Sequence, residues 1–290
     1  MIQFGRATNR SSVALTALVL CAIASLGLVV EGDAASKTQS VWTDQTNSKV
    51  RLVGDAVPEA GAPSFYAGVQ LRMDKGWKTY WRNPGDSGVP PSFDWSGSKN
   101  VEAVEVLYPA PHRFSDANGT AIGYSGEVVF PLRITPKRVG DPVTLSLDFD
   151  YGLCKDLCIP NAVHLNTVFE PGGGKSDGRL LEAALSRVPK KAQDDHLPRV
   201  MKISGGLDGD APELKIEVEF PEGAIGTDVF VDNPKALVPV TKALGPLEDG
   251  RQRFAIAFPV IEEAAALKGK PLTITVVAED GASETTWTAP

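Results

Sequence analysis

From Ser48 onward, apolar and polar residues alternate along much of the chain. The clearest run is Val143-Thr-Leu-Ser-Leu-Asp-Phe-Asp-Tyr151, which puts Val143, Leu145, Leu147, Phe149 and Tyr151 on one face. Successive side chains of a strand point to opposite sides, so this run predicts a strand buried on one face only. Phe65–Leu71, Val101–Leu107 and Val128–Ile134 repeat the pattern, separated by Gly, Pro, Asp and Asn clusters at Asn83–Pro91 and Asp116–Gly119. Short alternating strands with such turns between them predict a β-sandwich.

The alternation stops at Pro171–Ser176 (PGGGKS), after which Asp177 offers an N-cap to a helix through Leu180, Leu181, Ala184 and Leu185 that ends before Pro189. Beyond Lys190–Pro198 it resumes. Leu214, Ile216, Val218 and Phe220 stand opposite Lys215, Glu217 and Glu219, followed by Phe254, Ile256 and Phe258, then Leu272, Ile274 and Val276. The expected fold class is all-β: two β-sandwich domains, 36–172 and 199–290, joined by a short helical linker, 173–198. The GGGKS tail has the ending of a phosphate loop, but Phe169 stands where that loop requires Gly, and no strand-to-helix crossover surrounds it. No nucleotide site is expected.

Residues 1–35 stand apart as a secretory signal peptide. Arg6 and Arg10 precede a charge-free apolar run, Val13–Val30, and small residues follow at Gly32, Ala34 and Ala35, so cleavage is expected near Ala34 or Ala35. Cys21 lies inside the run and would leave with it. No later segment approaches membrane-spanning length, so no stable membrane insertion is expected after cleavage. The exported product enters a compartment where disulfides persist.

Composition narrows the function further. A net charge of −7 argues against a nucleic-acid partner. Hydrophobic residues at 42 % beside 28 Gly and 22 Pro describe a turn-rich chain with a real core, not a disordered one.

Only Cys154 and Cys158 remain after the leader, in Cys154-Lys-Asp-Leu-Cys158 directly behind the clearest strand. This spacing meets disulfide geometry in a helical turn or a tight loop. A structural bridge is the ordinary use of two cysteines in an exported protein. In the chain-entropy model, however, so short a loop contributes only about 2 kcal/mol, against about 4.7 for a hundred-residue loop. A short, accessible bridge also exchanges readily with attacking thiolates. Spacing and compartment leave both roles open. Lys155 favours a thiolate and Asp156 opposes it, so no direction follows for the cysteine pKa.

Other candidates carry weaker signals. Cys154, Cys158 and His164 are ligand types suited to copper(I) or zinc, but no fourth ligand is visible nearby. Asp148 and Asp150 share a strand's polar face, which is ordinarily a solvated face. Asn118-Gly119-Thr120 matches a glycosylation sequon and equally a turn. Gly76-Trp-Lys-Thr-Tyr-Trp-Arg82 is the unusual aromatic segment, readable as sandwich core or as a wall shielding a reactive disulfide.

Several segments in order resemble the N-terminal periplasmic domain of DsbD-type thiol:disulfide interchange proteins, including the copper-tolerance ScsB group. They are Gly76-Trp-Lys-Thr-Tyr-Trp-Arg-Asn-Pro-Gly-Asp-Ser-Gly88, Tyr108-Pro-Ala-Pro-His-Arg-Phe114, Gly123-Tyr-Ser-Gly-Glu-Val-Val-Phe-Pro-Leu132 and Tyr151-Gly-Leu-Cys-Lys-Asp-Leu-Cys-Ile-Pro160. The three-residue gap between the cysteines fits the ScsB-like branch better than the DsbD group.

The resemblance implies a periplasmic immunoglobulin-like sandwich for the cysteine-bearing domain, and the same class is expected for the second; no cofactor and no bound metal are expected. The cysteines would take electrons from the thioredoxin-like domain of a membrane thiol reductant and pass them to oxidised periplasmic client proteins. Cys158 would form the mixed disulfide and Cys154 would resolve it. Trp77 and Tyr80 would stand beside the pair, and His112, Arg113, Phe114 and Asp116 would supply a cap over it. The membrane and thioredoxin-like domains of full-length members are not in this chain, so its reductant is expected to act in trans. The competing readings are a non-catalytic periplasmic protein-binding module with a structural disulfide, and a copper-binding protein.

Overall fold

The structure, a computed structural model, describes residues 41–54, 62–85, 88–116, 119–172, 177–192, 196–233, 237 and 239–289. The expected signal peptide, the sequon residue Asn118 and the Gly-rich stretch 173–176 lie outside the described residues.

Among the described residues eleven strands build the first half: β1 (Thr43–Gln45), β2 (Ser48–Gly54), β3 (Phe65–Met73), β4 (Lys78–Gly85), β5 (Ser92–Asp94), β6 (Val101–Val106), β7 (His112–Asp116), β8 (Gly119–Ser125), β9 (Glu127–Pro136), β10 (Val143–Cys154) and β11 (Cys158–Phe169). One sheet runs β1-β2-β3-β9-β6, and the facing sheet runs β11-β10-β4-β8-β7 with β5 alongside β10. Helix α1 (Gly178–Ser186) follows. The second half holds β12 (Lys190–Lys191), β13 (Arg199–Gly206), β14 (Glu213–Glu219), β15 (Asp228–Asp232), β16 (Val240–Ala243), β17 (Arg251–Ala257), helix α2 (Ile261–Ala265), β18 (Pro271–Ala278) and β19 (Gly281–Thr288). Its sheets run β12-β19-β18-β15 and β13-β14-β17-β16. The molecule is thus all-β, two immunoglobulin-like sandwiches with a short helix between them.

The alternation does the work expected of it. Val143, Leu145, Leu147, Phe149 and Tyr151 on β10 are all buried, whereas Asp148 and Asp150 between them are exposed. Phe149 lies 4.7 Å from Tyr151 and 4.8 Å from Phe93, and Phe93 also packs edge-on against Phe130. In the second sandwich Leu214, Ile216, Val218, Phe254, Ile256, Leu272, Ile274 and Val276 fill the core.

Two features depart from the linker picture. Asp177 sits at the N-cap of α1, but its side chain makes no capping hydrogen bond. It faces Arg51 at 3.9 Å instead, so a cation on β2 takes the carboxylate that the first turn would otherwise use. The helix also lies against the first sandwich: Leu181 and Ala184 pack with Val53 and Val129.

The sandwiches also share core. Phe230 from β15, Val277 from β18 and Ala282 from β19 belong to the same buried cluster as the first sandwich's own residues. Trp81 meets Phe230 at 5.8 Å between ring centroids.

Candidate functional site

β10 and β11 pair over twelve residues each, from Val143 opposite Phe169 to Cys154 opposite Cys158. That register places the cysteines across from each other at the turn end of the hairpin, with Cα atoms 4.1 Å apart and a disulfide between them. Of the two geometries the spacing allowed, the tight hairpin turn, Lys155-Asp156-Leu157, is the one formed. Pro160 is compatible with β11 because this strand is the edge of its sheet, where a missing N–H leaves no inner ladder broken.

The two sulfurs are not equivalent. Cys154 is flanked by Cys158 on one side and by Lys78 of β4 on the other, and is half-buried. Cys158 is exposed, and Leu157 at the turn tip is 71 % exposed.

Tyr80 reaches the pair from β4. It is buried, and its hydroxyl lies 3.3 Å from Cys158 Sγ. A disulfide sulfur carries no proton, so the hydroxyl donates. Its ring needs glycine on both sides: a Cβ on Gly152 would stand 3.0 Å from Tyr80 Cε2, and one on Gly88 2.6 Å from Cδ1. Thr79 donates to the Gly152 carbonyl at 2.9 Å, tying β4 to the cysteine strand at the same level.

Phe114 completes the site from β7. It lines a cleft of about 90 Å³ with Lys78, Tyr80, Lys155, Cys154 and Cys158, and the Lys78 ammonium lies 4.9 Å from its ring centroid.

Of the remaining expected site residues, the three whose side chains are described point elsewhere. Trp77 is half-buried against the sandwich core and does not line the cleft. His112 is exposed beside α1 and the second sandwich, where desolvation and then the Arg187 cation lower its pKa against the opposing pull of Glu279. Arg113 turns to the second sandwich, donating to Asp228 at 2.9 and 3.2 Å and to the Val229 carbonyl at 3.0 Å. The side chain of Asp116 lies outside the described residues.

The other tryptophans scatter. Trp81 is fully buried, Trp95 stacks on Phe93 at 6.4 Å, and Trp42 lies under the cations of Lys49, Arg51 and Arg72. His164 stands six positions along β11 from Cys158 and bonds Asp148 through Nδ1 at 2.7 Å. Among the described residues no group of three or more His, Cys, Asp or Glu side chains is arranged to hold a metal ion.

Reading the sequence missed Arg82, two residues beyond Tyr80. It donates to Asp232 at 2.9 Å and also pairs with Glu284. Burial alone would lower its pKa, but the two carboxylates outweigh that and raise it. No local pattern marks such a residue, because its partners lie 150 and 202 positions away.

An exposed, hairpin-end disulfide with a buried tyrosine hydroxyl on one sulfur and an aromatic ring lining the same cleft defines a class: a sandwich carrying an accessible cysteine bridge. Residues 56–170 match the family described as thiol:disulfide interchange protein DsbD, N-terminal, which bears out over that segment the resemblance seen in the sequence. The crystal structure of the N-terminal periplasmic domain of ScsB from Proteus mirabilis superposes with a TM-score of 0.69 at 21 % identity, over 88 % of this chain and 100 % of that one. No curated protein sequence matches. Family match, fold and bridge together support a thiol–disulfide interchange module. No helix among the described residues is long and apolar enough to cross a membrane.

Proposed function

We propose that the protein relays electrons in the periplasm through Cys154–Cys158, from the thioredoxin-like domain of a membrane thiol reductant to oxidised client proteins. The observation that carries this reading is the inequality of the two cysteines: Cys158 is exposed and bonded by Tyr80, whereas Cys154 is half-buried within the sheet. In-line attack on the bridge therefore falls on Cys158.

A partner thiolate attacks Cys158 Sγ, the S–S bond breaks, and Cys154 leaves as a thiolate. The partner's second thiolate then attacks its own sulfur in the mixed disulfide, releasing Cys158 as a thiolate and leaving the partner oxidised. Cys158 next attacks a client disulfide, expelling one client thiolate. Cys154 attacks Cys158, reforming the bridge and releasing the second client thiolate. Tyr80, already donating to Cys158, stabilises negative charge on that sulfur whenever it is expelled. No cofactor takes part.

The test is the reduction potential of the pair, read by alkylation and mass after equilibration in dithiol buffers. A value near about −200 to −230 mV fits a carrier. A value below about −300 mV marks a structural bridge and overturns the relay. Cys154→Ala should accumulate mixed disulfides through Cys158, and Cys158→Ser should lose client reduction.

A further inference from the structure

The two side chains that flank the bridge come from strands that are both tied to the second sandwich. Arg82, in the same strand as Tyr80, pairs with Asp232 of β15 and Glu284 of β19. Arg113, the neighbour of Phe114, forms a bidentate pair with Asp228 of β15 and lays its guanidinium 4.9 Å from the centroid of Phe230. Asp228 is itself fixed, because its Oδ1 accepts the Val229 N–H at 2.7 Å.

These ties weigh unequally on the site. β4 lies inside its sheet, with β10 and β8 on its two sides, so Tyr80 keeps its place by main-chain bonding. β7 is the edge strand and has β8 as its one sheet neighbour among the described residues. What holds the outer side of β7 is the Arg113 fork on Asp228 and the Val229 carbonyl. Arginine–carboxylate pairs of this kind fix orientation as well as distance, since two parallel donors meet two oxygens. The pair is about three-quarters withdrawn from solvent, at 21 % and 24 % side-chain exposure, so it is less screened than a surface pair.

We infer that the second sandwich is a brace for the disulfide site, with Arg113 and Asp228 as positioning residues that hold Phe114 in the cleft it lines with Cys154 and Cys158 and so set how readily thiolates reach the bridge. Neither residue touches a sulfur. The inference deepens the exchange reading by assigning a task to the sandwich that carries no cysteine.

The test measures the second-order rate at which dithiothreitol reduces the bridge in the full chain, well below the unfolding temperature. Asp228→Asn keeps the shape and removes the charge. It should raise the rate by up to about tenfold, the factor matching loss of one charge-assisted hydrogen bond. Phe114→Ala should raise the rate similarly, and adding Asp228→Asn to it should change nothing more, because the brace acts only through that ring. The exchanged pair Arg113→Asp with Asp228→Arg should bring the rate back towards that of the native chain.

A lowered melting temperature with an unchanged dithiothreitol rate in Asp228→Asn would make the contact purely structural and overturn the inference. So would a rate increase that persists undiminished in the Phe114→Ala background. The relay can fail separately, by a potential below the carrier range, while these rates still follow the Arg113–Asp228 pair.

Discussion

The Tyr80 hydroxyl is the one polar side-chain group hydrogen-bonded to either sulfur among the described residues. It faces Cys158, the cysteine that receives attack in the proposed exchange. When the bridge opens, that hydroxyl meets either a thiol or a thiolate, and hydrogen bonding to the charged form favours it. Tyr80→Phe should therefore disfavour the Cys158 thiolate in the reduced protein, since it removes the one described side-chain donor to that sulfur. The pH dependence of iodoacetamide alkylation of Cys158 in a Cys154→Ala background reads this directly. Global stability should change by no more than about 1.5 kcal/mol, because the ring and its burial are kept. An unchanged alkylation profile would leave Tyr80 a packing residue.

At the scale of elements, the strands were legible because alternation is local, and the site was only half legible because its assembly is not. Val143–Tyr151 declares a strand by itself, and the alternating runs Phe65–Leu71 and Val128–Ile134 fall within β3 and β9. The cysteine spacing announced a bridge without choosing between turn and loop. The choice comes from the register of β10 on β11, which depends on Ala162, Val163 and Leu165 finding their partners Asp150, Phe149 and Leu147. Tyr80 against Cys158 likewise requires β4 to lie beside β10, a long-range pairing with no local signature. The resemblance supplied Tyr80 and Phe114 where periodicity could not. It also grouped Trp77, His112 and Arg113 with them, and the structure sends those three elsewhere.

The packing of β10 on β4 explains why residue 152 is glycine. A Cβ there would approach Tyr80 Cε2 at 3.0 Å and Cδ2 at 3.2 Å, so the ring must give by a few tenths of an ångström. Gly152→Ala should cost about 1–3 kcal/mol, as overpacking of a filled site does. Because the displaced ring carries the hydroxyl bonded to Cys158, it should also alter the rate at which dithiothreitol reduces the bridge. Urea denaturation gives the first quantity and alkylation after timed reduction the second. A loss of stability with an unaltered reduction rate would show that the ring recovers its position.

For the whole molecule, the interface between the sandwiches decides whether they behave as one body. The expected linker suggests two bodies on a tether, but Phe230 is 1 % exposed inside the first sandwich's core cluster, against Trp81, with the Arg113 cation over its face. Nothing around Phe230 in the sequence announces this, because which sandwich each face of β15 serves is set by distant partners. The shared core predicts a single cooperative thermal transition in calorimetry, with calorimetric and van't Hoff enthalpies equal. Phe230→Ala removes the ring that joins the clusters and should cost about 3–5 kcal/mol, the range for emptying a buried aromatic site. The loss falls on the joint, so the single transition should broaden or split in two, with the cysteine-bearing sandwich identified by its near-ultraviolet aromatic signal. Since Arg113 rests on the same ring, the variant should also reduce faster with dithiothreitol than the native chain. If Phe230→Ala instead unfolds in one sharp transition at a lower temperature, the joint is held by the Arg82 and Arg113 ion pairs and not by the shared core.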